Sequence, residues 1–457
     1  MLSQVRKRMF LGLSLLIVGG GLLLGIGLLR ARAATPEFVV AARSCPMAHC
    51  DAQMSDIMQD VTPPATAQEL WRQAPNWYNV LGSRKGLGCS SNGEIAACTF
   101  YYSERRKAQF LRVYDAAGNI VWDTKKLTSQ AFASAPLVSE SGDVIVGDEV
   151  SMFRFNPNGS IAWQSPTGAT PTSPVLTANG VVIAGTLEGP ILAYDNTTGA
   201  SLGTLTLNDW NGNSGVWSTN NTVAVNGNRI YIVMEFHDIV GAAPARLYAL
   251  DIVPDGNGVD IVPAWYFEYR ADSGASPLVI GNTIYFDGDG PDPMQSEETP
   301  LLFAIQDLGS NYALQWQVAL ENDMGASAAR DPRGGLWYYT AASPWVRRVL
   351  EDGTLVQSIN INQLLNVEGN HVPTSAMSVA VNSNGHPILI FSATAVDYSV
   401  YVVALDVETE TLLWQVNVGA EYRDVPFGQF PIVEDANGNP VVVFSTYASG
   451  VWGIGAP

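Results

Sequence analysis

Charge is scarce in this chain of 457 residues, and basic charge is scarcest. Asp, Glu, Lys and Arg together make up 15%, with 24 Lys and Arg against 43 Asp and Glu. Five of the basic residues (Arg6, Lys7, Arg8, Arg30 and Arg32) fall within the first 32 positions, so the net charge of −19 becomes −24 without them. A domain that acidic repels phosphate backbones, which excludes nucleic acid as a partner. Low charge combined with 47% hydrophobic residues also excludes a disordered chain. Histidine numbers four, with no pair at metal-ligand spacing, and cysteine numbers four, with no two adjacent. The Cys-Pro-Met-Ala-His-Cys-Asp stretch is no haem attachment motif, because Asp51 stands where histidine would have to follow the second cysteine. Zinc at Cys45, His49 and Cys50 would lack a fourth ligand nearby. No serine sits in a nucleophile-elbow pattern. The sequence therefore offers no catalytic constellation.

What it does have begins at the N-terminus. Arg6-Lys7-Arg8 precede an uncharged run from Met9 to Leu29, followed by Arg30-Ala31-Arg32-Ala33-Ala34. A basic flank, an apolar stretch and an Ala-x-Ala site make residues 1–33 a signal peptide. The run is also long enough to span a bilayer as an anchor. Both readings leave the basic side in the cytoplasm and export the rest, giving a periplasmic, cell-surface or secreted protein. No cysteine follows the run closely enough to carry a lipid.

Beyond Gly86 the chain repeats itself. Val113-Tyr114-Asp115 runs through Gly118 to Trp122, and the same pattern recurs at Phe153–Trp163, Ala193–Gly199 and Ala404–Trp414. Looser copies run from Leu247 to Trp265 and from Phe303 to Trp316, and a copy without tryptophan spans Val349–Gln357. Each reads as two strands around a glycine turn. A second hairpin precedes each copy, opening on small residues and usually proline, as in Ser134-Ala-Pro, Thr172-Ser-Pro and Ala275-Ser-Pro. Four short strands per forty-odd residues describe the blade of a propeller, and the repeated tryptophans are expected to dock blade against blade.

This pattern resembles the repeat of quinoprotein-type (PQQ-binding-like) β-propellers, and among them the eight-bladed outer-membrane-assembly propeller lipoproteins (BamB-like). The resemblance implies an all-β, eight-bladed propeller of four-stranded antiparallel blades over residues 86–457. Seven blades with a trailing tail is the alternative. Gly450–Gly455 is a third strand with no fourth behind it, so a segment within residues 34–85 is expected to close the ring. Thr35–Ser44 and the stretch around Trp71–Val80 are the candidates. Otherwise residues 34–85, interrupted by Pro63-Pro64, read as a linker or arm. The resemblance does not decide activity, because one blade type serves dehydrogenases and scaffolds alike. A quinone enzyme of this kind would be expected to carry adjacent cysteines, a calcium site and a catalytic aspartate. With no Cys-Cys dipeptide, pyrroloquinoline quinone is not expected. A non-catalytic scaffold or binding module for a protein or glycan partner is the preferred reading, and a PQQ- and calcium-dependent dehydrogenase the alternative.

Two further features bear on function. Export permits disulfides, and the local pairing joins Cys45 to Cys50 and Cys89 to Cys98, the latter across Asn92-Gly93. Turns such as Asn179-Gly180 and Asn226-Gly227 are short, whereas connections such as His237–Ala245, Asp287–Pro300 and Leu364–Thr374 are long. In a four-stranded blade these two sets emerge on opposite faces, and long loops on a rigid scaffold are where binding concentrates. Trp210, Trp217, His237 and His371 are expected on that binding face. Asp287, Asp289 and Asp292 alternate as oxygen ligands do, making them the calcium candidate.

Overall fold

The computed structural model of the protein describes residues 37–73, 84–102, 108–124, 134–210, 213–237, 244–270, 275–289, 299–365, 367–395, 399–419, 425–426, 428–446 and 450–457. Residues 1–36, with the segment expected to be a signal peptide or anchor, and much of the long loops lie outside these. No helix among the described residues is long and apolar enough to cross a membrane.

The fold is all-β, a propeller built from four-stranded antiparallel meanders. Five separate four-stranded sheets occur together with a five-stranded sheet over 371–419. A nine-stranded sheet consists of two meanders, 216–270 and 278–319, joined where Arg270 lies opposite Asp289. The sheet over 432–455 has only three strands from the C-terminus, Ile432–Glu434, Pro440–Thr446 and Gly450–Gly455. Its fourth comes from the other end of the chain: Gln68–Gln73 pairs antiparallel with Gly450–Gly455, Arg72 standing opposite Trp452. Of the two candidate closing segments the later one does the work, and Val40 of the earlier makes only an isolated bridge with Ser139.

The repeat acquires a physical meaning here. Trp122, Trp163, Trp265, Trp316 and Trp414 stand opposite Val113, Arg154, Ala249, Ala304 and Ala404, and a register shift follows immediately in every case. The tryptophans are therefore equivalent, as the repeat implied. Four of these side chains reach the outer turn of the next sheet, and Trp414 instead donates from Nε1 to the Pro64 carbonyl at 2.8 Å. Trp163 Nε1 donates to the Asn196 carbonyl at 3.0 Å, Trp316 Nε1 to the Glu351 carbonyl at 2.7 Å, and Trp265 Nε1 to Asp307 Oδ1 at 2.9 Å. Trp71, on the closing strand, completes the set by donating to the Ala116 carbonyl at 2.8 Å. The turn glycines allow this approach. At Gly118 and Gly199, with φ of 79° and 72°, a Cβ would lie 2.5 and 2.6 Å from Trp71 and Trp163. No other residue both adopts that φ cheaply and leaves the ring room.

The 175–205 sheet lacks a tryptophan, and its neighbour compensates. The inserted Asp255–Asp260 loop extends the hairpin of Pro244–Asp255 and Gly258–Arg270, which lies against Ser201–Leu205. The backbones approach so closely that a Cβ on Gly203 would sit 2.3 Å from the Val259 carbonyl oxygen.

Trp163→Ala is expected to cost about 3–5 kcal/mol in urea denaturation, since it empties a buried aromatic site. Ile161→Ala, two residues away on the exposed side of the same strand, should stay within about 0.5 kcal/mol. Equal effects would contradict the docking role.

Candidate functional site: the plugged central channel

The innermost strand of each meander presents a free edge toward the centre. Those N–H groups need acceptors, and residues 38–61 supply them. Ser91 N–H donates to the Cys45 carbonyl at 2.7 Å, Val138 to Pro46 at 2.7 Å, Val225 to Ala52 at 2.6 Å and Val279 to Gln53 at 2.9 Å. Arg330 donates to the Ser55 carbonyl at 2.9 Å and Val379 to Asp56 at 2.8 Å. Ile432 N–H donates to Ser44 Oγ at 3.1 Å. One short segment thus caps inner strands from seven meanders. Phe38 extends it toward an eighth, its N–H reaching Asn196 Oδ1 and its ring lying under the Arg154 guanidinium, which is itself buried against Asp143.

The sequence suggested a linker or arm here. The structure instead buries Phe38, Cys45, Met54 and Asp56 almost completely. What misled the reading is that the segment has no strand periodicity. It turns repeatedly so that successive carbonyls face outward. Among the described residues, six of the eight non-glycine residues with positive φ lie within it: Ser44, His49, Cys50, Met54, Asp56 and Asp60. Left-handed backbone at such residues is strained and persists only where its surroundings enforce it. The Cys45–Cys50 disulfide is one enforcement, and Cys89–Cys98 ties the adjoining inner strand to its neighbour; both expected pairings are formed.

The capped residues sit at the far ends of the inner strands, just before short turns such as Ser139–Gly142. The plug therefore closes the short-turn end of the channel. At the opposite end, where long connections lead into the inner strands, lies a cavity of about 250 Å³. Ala48 and His49 form its floor, and its wall includes Ser173, Thr222, Ser276, Ser327, Ser375, Asn221 and Gln429. Ser173 and Ser276 belong to the repeated Ser-Pro lead-in, and Ser327 stands at the matching place without proline. Each takes a backbone proton from the preceding sheet: Ala135 N–H donates to Ser173 Oγ at 2.9 Å, Thr222 to Ser276 at 3.0 Å, and Ser276 to Ser327 at 2.8 Å. The lead-in signal was visible in the sequence, but its convergence on the axis required the ring.

His49 is the polar centre of the floor. Its Nδ1 lies 3.0 Å from Asp56 Oδ2, its Nε2 lies 3.4 Å from Ser327 Oγ, and Gln429 Nε2 is 3.2 Å from Nδ1. Asp56 is fully buried, and that burial pushes its carboxyl above the ordinary value of 3.8, with the His49 ring and Gln429 opposing.

The residues expected on an exposed binding face are placed differently. Trp217 is fully buried, with Phe236 and Tyr248 at its edges and the Arg246 guanidinium 4.3 Å from its ring centre. It is core rather than anchor, because the strand Val216–Ser218 pairs with Arg229–His237 and turns the ring inward. His371 is likewise buried, stacked edge-on against Tyr401, with its Nε2 3.5 Å from Ser399 Oγ. Trp210 is half-buried against Phe236. Asp287 and Asp289 belong to the strand Thr283–Asp289 rather than to a loop, both buried, and Asp287 Oδ2 accepts the Met324 N–H at 3.0 Å. Strand geometry holds them in the sheet, and the described residues contain no group of three or more His, Cys, Asp or Glu able to hold a metal. The side chains of His237 and Asp292 lie outside the described residues.

The sequence profile described as outer membrane protein assembly factor BamB matches residues 57–287, just over half of the chain. The chain belongs to this family. No curated protein matches it by sequence. Among solved structures, a europium-containing methanol dehydrogenase is similar at TM-score 0.57 and 12% identity, covering 90% of both chains. The quinohemoprotein alcohol dehydrogenase of Comamonas testosteroni gives TM-score 0.56 and 11% identity over 93% of this chain and 82% of that one. BamB of Moraxella catarrhalis gives 0.47 and 12% over 78% and 93%. The first two likenesses establish the propeller fold and nothing of the chemistry.

Asp56 carries a testable sign. Between the ordinary carboxylate value and its raised native value, the folded protein holds a proton that the unfolded chain has released, so this residue's contribution to stability falls as pH rises through that interval. Wild type should therefore lose stability relative to Asp56→Asn as pH rises above the ordinary carboxylate value in paired urea titrations. A difference that stays constant or moves the other way would contradict the assignment.

Proposed function

We propose that this protein is an extracytoplasmic, eight-bladed binding propeller that holds a protein partner at the long-loop end of its channel. The observation carrying this reading is the asymmetry of the channel. One end is sealed by a covalently tied plug, and the other opens into a cavity walled by hydroxyl and amide groups. Membership of the BamB family supports a protein partner over a glycan, which is the alternative occupant. Two disulfides fit the export implied by the N-terminal segment, which would deliver the ring secreted or membrane-tethered. The blade count rests on the closing sheet, where both ends of the chain share one meander.

A quinone role is not favoured. Pyrroloquinoline quinone is a tricarboxylic acid, and the described residues lining the cavity include no Lys, Arg, Asp or Glu to pair its carboxylates or hold calcium. His49 and the disulfide-bound plug occupy the base of the channel instead. The binding surface proposed here therefore centres on the cavity rim.

The test is a substitution that fills the cavity without disturbing the ring. Ala326, half-buried on the wall, is replaced by Trp. Recovery of the partner cross-linked to exported wild type should fall at least about tenfold, which corresponds to 1.4 kcal/mol of binding, while stability changes by less than about 0.5 kcal/mol. Undiminished recovery would place binding elsewhere. Stoichiometric quinone binding with dye-coupled alcohol turnover would overturn the reading altogether.

A further inference from the structure

The cavity floor holds an arrangement that the binding role does not need. Ser327 Oγ accepts the Ser276 N–H at 2.8 Å, so its own proton must go to another acceptor. The nearest acceptor recorded for it is His49 Nε2, at 3.4 Å. The opposite ring nitrogen, Nδ1, faces Asp56 Oδ2 at 3.0 Å and Gln429 Nε2 at 3.2 Å; an ionised Asp56 draws the proton of a neutral imidazole to Nδ1 and leaves Nε2 bare toward Ser327. A hydroxyl, an imidazole with its basic nitrogen toward that hydroxyl, and a buried carboxylate behind it stand in line, with the hydroxyl and imidazole both lining the cavity.

We propose that Ser327, His49 and Asp56 form an acyl-transfer triad that hydrolyses carboxylic esters with short acyl groups. The inference goes beyond the binding role and stands independently of it, and it revises the expectation of a wholly non-catalytic chain. Two comparisons within the ring support it. Ser173 and Ser276 accept the same kind of backbone proton, yet neither lies against an imidazole. The plug backbone, for its part, adopts a strained left-handed conformation at His49 and Cys50, with φ of 57° and 67°, held by the adjacent disulfide. Strain of that kind gathers where a side chain must be aimed. The small walls at Ala48, Ala135, Ala326 and Ala376 leave room for a short acyl chain and not a long one.

The chemistry balances with water as the only co-reactant. Ser327 Oγ attacks the ester carbonyl carbon while its proton passes to His49 Nε2. The departing alkoxide takes that proton as the C–O bond breaks, leaving the acyl group on Ser327. Water then attacks the acyl carbon, gives a proton to Nε2, and Ser327 recovers it as the acid leaves. Asp56 touches no substrate; it is a positioning residue that holds the imidazole tautomer and its charge.

The experiment treats exported full-length protein with a fluorophosphonate probe, which transfers phosphorus to an activated serine with loss of fluoride. Peptide mapping of wild type should find one label, on Ser327. His49→Gln should slow labelling by about 10²–10⁴-fold. Ser378→Ala removes a comparable inter-sheet acceptor, that of Phe430 N–H, at a residue that does not line the cavity, and should label as wild type does. With an aryl acetate as substrate, Asp56→Asn should lower kcat with KM unchanged, which a merely structural role would not produce. A folded wild-type protein left unlabelled at Ser327, or equal labelling in His49→Gln, would overturn the proposal.

Discussion

The free inner edges of the strands are the constraint on which the rest of this molecule depends. A ring of meanders turns one strand of each sheet toward its axis, and a buried backbone N–H left there without a partner costs about 1–3 kcal/mol. The chain meets that cost with its own N-terminal stretch, whose carbonyls from Cys45 to Asp56 accept protons from one inner strand after another. The plug has no regular structure of its own. Its left-handed residues and its five-residue disulfide span are the means by which an irregular segment follows a circular set of donors.

From this constraint the asymmetry of the protein follows. Closure of the short-turn end leaves one approach to the axis, from the side of the long connections. The same segment then crosses to the outside, and Gln68–Gln73 completes the last sheet. One stretch of about 35 residues thus fills the channel and closes the ring. The outer circumference is held separately, by tryptophans lying on the turn glycines of the next sheet. Where the 175–205 sheet lacks the ring, a lengthened hairpin lies in its place. Centre and rim are stabilised by different chemistry, backbone hydrogen bonding in one and aromatic packing in the other.

Much of this fold was legible because it repeats. Turn glycines, tryptophans and Ser-Pro lead-ins recur at one spacing, and local geometry ties each to a strand or turn. Both disulfides were legible because each closes a span of fewer than ten residues. The plug was not, since its partners lie up to 388 residues away and its own residues show neither a period of two nor one of 3.6. The cavity floor was hidden for the same reason. Nothing in the spacing of His49, Asp56 and Ser327 brings them together; only the path of the plug does. Trp217 and His371 erred in the opposite direction, because a tryptophan or histidine near a long loop reads as exposed when the adjoining strand in fact turns it inward.

The account's central claim is that the plug satisfies the inner edges, and native-state hydrogen exchange of the intact protein measures it directly. The amides of Ser91, Val138, Val225, Val279, Arg330 and Val379, whose acceptors lie in the plug, should exchange only through global unfolding, as slowly as the amides in the middle strands of the same sheets. Exchange of these six at the rate of free strand edges, while the middle strands stay protected, would show that the channel is not plugged in solution.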